Sequence, residues 1–443
     1  MQNKTNIRVF SVCTSDILGG AARAAYRIHE GVSTLGVDSR MFVKNKGSQD
    51  PNVHTLSEFV PNNPIYNALD WSASKVKNKI QHYLWSQYPN KDVNFKSDLR
   101  GTRLHGALQK LDYDVLHLHW INQRFIHIDE LRKVHKPIVW TLHDSWPFCG
   151  VCHYFLNCEG YQHQCGNCPQ LGSNKQDDLS RQIWQHKADV YKELDLHIVS
   201  PSQWLADCAR QSSLFGDRDI CVIPNCLDTE LFRPLTIDEI RSIAERQQNA
   251  VVRRILREAT QEKGLAKPFV LYGAMNAAND RRKGFASLLS ALQLLDTQGF
   301  EGHLVVFGAN QQDLPMQFKN IDVTFVGYIR DTTILTALYT IANVMVVPSL
   351  TENLSCTIME SMSCGTSVVA FNIGGNGDMI DHKQNGYLAN EQDAEDLANG
   401  IRWCLNKNEG NILGNRARAK VLEKYTPDIV CEQYKILYNS LIS

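Results

Sequence analysis

Neither sign of charge is in excess in this chain: 46 lysines and arginines face 47 aspartates and glutamates across 443 residues. That balance removes the bulk electrostatic footprint expected of a nucleic-acid binder. No apolar run approaches the ~18–20 residues a membrane span needs. The opening MQNKTNIRVFSV lacks the charged, apolar and small-residue regions of a signal peptide. There is no short-period repeat, low-complexity tract or G-x-G-x-x-G fingerprint. Collagen, coiled-coil, integral-membrane and disordered classes are thereby excluded. What is present is an ordinary globular mixture, 43% hydrophobic and 21% charged. The length suits two to four domains. Thirteen cysteines, an odd number with no secretory signal, point to a reducing cytoplasm rather than a disulfide scaffold.

Short apolar runs alternate with helix-period stretches. Ile7–Val12, Asp114–His119, Ile138–Leu142, His197–Ser200 and Ile220–Ile223 read as buried strands in the first half. Phe269–Tyr272, Leu304–Phe307, Val323–Val326, Val344–Val347 and Val368–Phe371 do so in the second. Strands this apolar, separated by helices, predict two α/β units with doubly wound parallel sheets. The joint falls in Pro224–Pro234, where two prolines and an asparagine interrupt the periodicity. Residues 235–267 read as a charged helical insertion and 45–100 as an irregular excursion. Pro427–Leu441 reads as a terminal amphipathic helix. The expected domains are 1–228, with a cysteine-rich loop over 149–169, then 229–426, then a helix at 427–443 returning toward the first domain.

The segment Ser349–Gly375, SLTENLSCTIMESMSCGTSVVAFNIGG, follows a strand ended by Pro348. Leu354, Ile358 and Met362 step by four, so a helix begins near Asn353 or Ser355. Glu352 then precedes the helix and Glu360 lies inside it. Amides of Leu354, Ser355 and Cys356 at the positive helix end suit an anion, and a carboxylate deeper in can accept from vicinal hydroxyls. Upstream, Asp280-Arg281-Arg282-Lys283-Gly284-Phe285 gathers cations that would stabilise a departing diphosphate.

The glutamate pair with seven residues between, together with Asn353, Thr357-Ile358-Met359, Cys364-Gly365, Gly374-Gly375 and Asn385-Gly386-Tyr387-Leu388, resembles the retaining glycosyltransferases of family four. The resemblance extends to a subgroup of bacterial exopolysaccharide, O-antigen and colanic-acid type. It implies the GT-B fold: two Rossmann-like domains facing each other across a cleft. It also implies that Glu360 binds the donor ribose, that Glu352 lies near the donor sugar, and that Lys283 meets the diphosphate. The family often has an arginine just after the strand glycine, where this chain has Ala274. Arg282 is the favoured substitute and Arg281 the alternative.

In the first half, Gly19-Gly20 separates the first strand from the first helix and lets a phosphate or sugar approach the helix amides. His143-Asp144 follows a strand at its ligand-facing end. By the resemblance, Gly19 and Gly20 contact donor phosphate or acceptor, and His143 the donor sugar. Asp144 orients His143 or contacts acceptor. His117 and His119 share a strand face and stand behind them. Cys149, Cys152, Cys158, Cys165 and Cys168 crowd into twenty residues. Cys152, Cys158, Cys165 and Cys168 form a candidate structural zinc set; reduced packing cysteines or a redox-sensitive cluster are the alternatives.

The function expected is retaining transfer of a sugar from a nucleotide-diphosphate sugar to a glycan or polyprenyl-linked oligosaccharide, in bacterial surface-polysaccharide synthesis. No cofactor is required on this reading, and no nucleic-acid partner is expected. The location is cytoplasmic, with peripheral inner-membrane contact through Trp71–Leu84, whose lysines alternate with apolar residues. The competing expectations are a GT-B sugar-nucleotide epimerase and a non-catalytic sugar-nucleotide-binding subunit.

Overall fold

The structure is a computed structural model that describes residues 7–55, 58–59, 83, 85–90, 104–261, 264–274, 276, 279–310 and 317–442. The chain divides into two compact units, residues 1–225 with 430–443 and residues 226–429. The Trp71–Leu84 segment, Tyr83 apart, lies outside the described residues. Among those described, no helix is long and apolar enough to cross a membrane.

Unit 1 is built on β1 (Arg8–Ser15), β2 (Asp38–Asn45), β3 (Val53–Thr55), β4 (Val115–Leu118), β5 (Ile138–Thr141), β6 (Leu196–Ser200) and β7 (Ile220–Val222). All pair in parallel, in the order β3-β2-β1-β4-β5-β6-β7. Every residue of β4 and β5 is buried, which requires cover on both faces of the sheet. Part of that cover comes from α1 (Gly20–Thr34), which buries Ala22, Ala25, Ile28 and Val32 at helical spacing. Two further helices, α2 (Leu179–Tyr191) and α3 (Gln203–Gln211), start where Asp178 and Ser202 accept amides of their first turns.

Unit 2 repeats the plan with β8 (Phe269–Gly273), β9 (Gly302–Phe307), β10 (Ile321–Gly327), β11 (Val344–Val347), β12 (Val368–Phe371) and β13 (Gly386–Ala389). Its parallel order is β10-β9-β8-β11-β12-β13. The charged stretch before β8 forms α4 (Ile237–Arg246) and α5 (Ala250–Ala259). These are core elements: Ile240, Ala244, Val252, Ile255 and Leu256 are buried with the sheet residues. The remaining helices include α6 (Phe285–Thr297), α7 (Thr332–Ile341), α8 (Cys356–Ser363), α9 (Ala394–Lys407) and α10 (Ile412–Lys424).

Both sheets reverse their winding direction between the first and fourth strands of the unit, β1/β4 in one and β8/β11 in the other. Ligands of such sheets bind outside the carboxyl ends of the strands at that reversal. The last helix, α11 (Pro427–Ile442), buries Val430, Cys431, Tyr434 and Tyr438. Its Tyr434 hydroxyl meets Thr141 Oγ1 at 3.0 Å, and its Tyr438 hydroxyl meets His117 Nδ1 at 2.7 Å. Lys435 donates to the Leu35 carbonyl at 3.0 Å.

Candidate functional site

In unit 1 the predicted residues fall around the β1/β4 reversal. Gly19 caps α1 with φ 100, a torsion open to glycine, and α1 starts at Gly20. Asp16, just upstream, is buried and accepts from the amides of Gly47 (2.9 Å) and Ser48 (2.8 Å). Burial opposes its charge, but those donors outweigh it and hold its pKa below the ordinary value. Asp16 therefore ties the β1–α1 loop to the segment after β2. Thr14 Oγ1 donates to the carbonyls of Trp120 and Asn122, both at 2.9 Å, clipping the ends of β1 and β4 together.

His119, at the end of β4, has its Nδ1 3.1 Å from Nε2 of His143, which follows β5. Behind them His117 bridges Thr141 Oγ1 at 2.8 Å and the Tyr438 hydroxyl. Its ring centroid lies 4.0 Å from that of His119. Asp144 sits in a network of its own. It is 7% exposed, and its carboxylate accepts from Trp120 Nε1 (2.8 Å) and the Trp146 amide (3.0 Å). It also pairs with His153 Nδ1 at 2.7 Å. Its geometry is that of a loop lock joining three segments. The partners Trp120 and His153 were missed; the HLHW and CHY strings contain them, but nothing in their spacing tells which ring reaches Asp144.

Burial keeps these imidazoles neutral. It pushes His117 down to about 3 and His143 to about 4, the latter partly offset by Asp144, and His119 well below the ordinary value. In an unfolded chain the same rings would take up protons near pH ~6.5. Between roughly pH 6.5 and 4 the unfolded state thus binds more protons, so stability falls on acidification through that window. We expect denaturant midpoints to drop from pH 7.5 to 5. The slope from each fully buried ring, His117 or His119, should approach about 1.4 kcal/mol per pH unit below about pH 6. The His117→Asn variant should show a shallower dependence; equal midpoints at the two pH values for the parent chain would contradict this.

In unit 2 the residues converge at the β8/β11 reversal. After β8, Asp280 accepts the Arg282 amide at 3.0 Å and opens a 3-10 turn, Arg281–Lys283. Gly284 follows with φ 70, and an added Cβ there would overlap the Pro348 carbonyl oxygen. The absent side chain lets the turn seat on the end of β11, where the Leu350 amide donates to the Arg282 carbonyl at 2.7 Å. This contact carries Lys283 to Glu352: Nζ to Oε2 is 2.8 Å, with the side chains 23% and 15% exposed. Arg282 pairs at 2.6 Å with Asp280, while Arg281 is exposed.

The helix α8 begins at Cys356, with Ser355 as its cap residue, close to the predicted start. Asn353, Leu354 and Ser355 are buried in the turn ahead of it, where the Asn353 carbonyl accepts from the Gly375 amide at 2.9 Å. Glu360, on the fifth residue of α8, is 2% exposed and accepts from the Tyr339 hydroxyl of α7 at 3.2 Å. The site thus combines a helix N-terminus, one lysine–carboxylate pair and a buried carboxylate one turn deeper. A helix N-terminus beside a lysine favours anions, and phosphate groups above all.

The cysteines at 149, 152, 158, 165 and 168 are all free thiols at a distance in sequence from these residues. They line a separate small cavity of unit 1.

The class of fold that these two sheets and their reversals define is GT-B. Residues 18–231 match Glycosyltransferase Family 4, and residues 266–407 match the family Glycosyl transferases group 1. Both units of the chain thus match glycosyltransferase family models. Among curated proteins it is 30% identical over 237 residues to WcaC of Escherichia coli, whose name places it in colanic acid biosynthesis. That match covers 50% of this chain and 55% of WcaC. Across the first three such relatives the matches span 26–55% of the relative's length. Among solved structures, Anabaena HepE in complex with UDP-glucose superposes with a TM-score of 0.62 at 16% identity, covering 98% of this chain and all of HepE. Sucrose-phosphate synthase from Thermosynechococcus elongatus gives 0.60 at 19% identity, covering 98% and 99%. At these identities the structural likeness speaks to the fold.

Proposed function

We propose that this chain is a retaining glycosyltransferase that moves a sugar from a nucleotide diphosphate to a hydroxyl of a surface glycan or lipid-linked oligosaccharide. The observation that carries the reading is the Lys283–Glu352 pair at 2.8 Å beside the N-terminus of α8. As the anomeric carbon–oxygen bond breaks, the electron pair stays on the diphosphate, and a fixed cation gains most from that developing charge. Lys283 and the first amides of α8 serve this role. Glu360 accepts from the ribose hydroxyls, and Glu352 places Lys283 and faces the sugar. In unit 1, His143 and the Gly19-Gly20 loop are assigned to the sugar and acceptor. Neutral imidazole suits that work, because it can both donate to and accept from a hydroxyl.

Retention follows if the acceptor attacks the face the diphosphate leaves. The new carbon–oxygen bond then forms as the old one breaks, and the acceptor proton passes to a departing phosphate oxygen. The name of WcaC and the glycosyltransferase matches support a polysaccharide product. UDP-glucose in HepE supports a nucleotide-sugar donor. On this reading the protein works in the cytoplasm, meeting the inner membrane through its acceptor.

The test is a thermal-shift screen of the full chain against nucleotide diphosphates and their sugars. A matching donor should raise Tm by an amount that grows with concentration above Kd. Turnover of that donor should then require acceptor. Conversion of donor alone would instead indicate an epimerase, and an unchanged Tm with every donor would overturn the reading.

A further inference from the structure

Between the 3-10 turn Trp146–Phe148 and α2, residues 149–178 contain no α-helix, only a second 3-10 turn at Gly160–Gln162. Yet this stretch is packed into the main core of unit 1 through Cys149, Val151, Cys152, Tyr161, Cys168 and Leu171. Irregular chain of this length is uncommon inside a compact unit, because fixing each residue costs conformational entropy with no ladder of hydrogen bonds in return. Something besides secondary structure has to hold it.

Five sulfurs surround one cavity of about 20 Å³, room for a single water or ion. Backbone amides are aimed at three of them. Gly160 donates to Cys158 Sγ at 3.4 Å and Gly150 to Cys165 Sγ at 3.3 Å, and Cys168 receives amides of Leu171 and Gln170. The thiols of Cys152 and Cys168 share a hydrogen bond. Neutral thiols are weak acceptors, so this many N–H donors fit sulfur that carries negative charge. Cys165, Gly166 and Asn167 have φ of 56, 93 and 46, which folds Cys165 and Cys168 into a knuckle. Asp178 and Ser180 at the start of α2 anchor it by accepting the amides of Cys168 (2.9 Å) and Gly166 (3.0 Å).

A second observation points the same way. Lys187 of α2 is fully buried, donating to the carbonyls of Trp146 and Cys149 with its ammonium 3.7 Å from the Trp146 ring centroid. Among the described residues it forms no ion pair with a carboxylate; burial pushes its pKa down to about 7, opposed by Cys149, Cys165, Asp144 and Cys152 in that order. A buried cation is costly without negative charge nearby.

We propose that Cys152, Cys158, Cys165 and Cys168 hold one zinc ion as a structural site. Four thiol protons leave as the ion enters, giving a tetrathiolate of net charge −2 that Lys187 partly balances. Cys149 stays outside the set, its sulfur bonded to Ser145. The sulfurs stand wider than the 4.8 Å spread of the one ligand trio already gathered among the described residues, His127, Asp129 and His186. Side-chain rotation on metal entry closes them. The surface trio is a poorer cation site, since Arg132 Nε lies 3.7 Å from Asp129.

The test uses the full chain purified under reducing conditions without chelator and then equilibrated with one equivalent of zinc. We expect about one tightly held zinc per chain, released as about four thiols are titrated with a mercurial. Cobalt in its place should show sulfur-to-metal charge transfer and the intense visible bands of tetrahedral coordination. Cys165→Ser should abolish both, and Cys149→Ser and His127→Ala should leave them intact. Should Cys165→Ser not fold, the cobalt spectrum of the parent chain decides alone. Fewer than about 0.2 zinc per chain, a cobalt spectrum without sulfur bands, zinc lost with His127→Ala, or a Cys152–Cys168 disulfide in reduced preparations would overturn the site. None of these readouts depends on sugar transfer.

Discussion

Lys283→Ala is expected to lower kcat for sugar transfer roughly 10²–10³-fold, the usual cost of removing one fixed group that faces developing charge. The loss should fall mainly on kcat. In the proposed mechanism the lysine gains most as the diphosphate leaves, whereas the bound donor is still held by helix amides and by Glu360. The structure adds a second cost: Lys283 Nζ is the 2.8 Å partner of Glu352 Oε2, so the variant leaves a carboxylate facing an anion. The double variant Lys283→Ala/Glu352→Gln should therefore bind nucleoside diphosphate more tightly than Lys283→Ala alone. Calorimetric titration with the diphosphate and initial rates with donor and acceptor separate the two effects. Near-parental transfer by Lys283→Ala would remove the lysine from the mechanism.

Gly284→Ala is expected to be the most damaging small substitution in unit 2. The residue has φ 70, and its new Cβ would fall on the Pro348 carbonyl oxygen and 2.6 Å from the carbonyl carbon. Both are backbone atoms at the end of β11, with no flexible side chain to move aside. The left-handed torsion and the enforced displacement together should cost roughly 2–5 kcal/mol. Gly410 provides the control, with φ 60 but nothing within 4 Å of an added Cβ, so Gly410→Ala should cost only about 1 kcal/mol. Denaturant unfolding of the two variants measures the difference. Equal losses would mean that the turn after β8 is not pressed onto β11 as described. Pushing the turn away would also break the Arg282–Leu350 backbone bond and draw Lys283 from Glu352, so transfer should fall even in protein that still folds.

Much of this was legible in the sequence because apolar strands of four to six residues leave a plain signal. All ten strands expected from composition are present, with ends shifted by one or two residues for most and by three for β1. The three not foreseen, β2, β3 and β13, lie at or next to sheet edges. Strands there carry polar residues, as β2 does in DSRMFVKN, or are as short as VHT, and either blurs the pattern. The glutamates and Lys283 could be named from spacing and resemblance, but their partners could not. Glu352 lies 69 residues from Lys283, and only the sheet order β9-β8-β11 brings the two strand ends side by side. The Arg282–Asp280 pair was within reach, since it is local. The lock around Asp144 was not, because Trp120 and His153 come from different segments with no shared period.

The docking of α11 sets a condition on how the protein is made. Tyr438 reaches His117 across 321 positions, and Tyr434 reaches Thr141 across 293. A ribosome delivers residues 1–225 long before these tyrosines emerge, so the first half of the chain waits with His117 Nδ1 and Thr141 lacking their final partners. That half should be the slower to mature and the more dependent on chaperones during synthesis. An excised fragment ending at 225 should show early amide exchange in β4 and β5, which adding back residues 427–443 as a peptide would suppress.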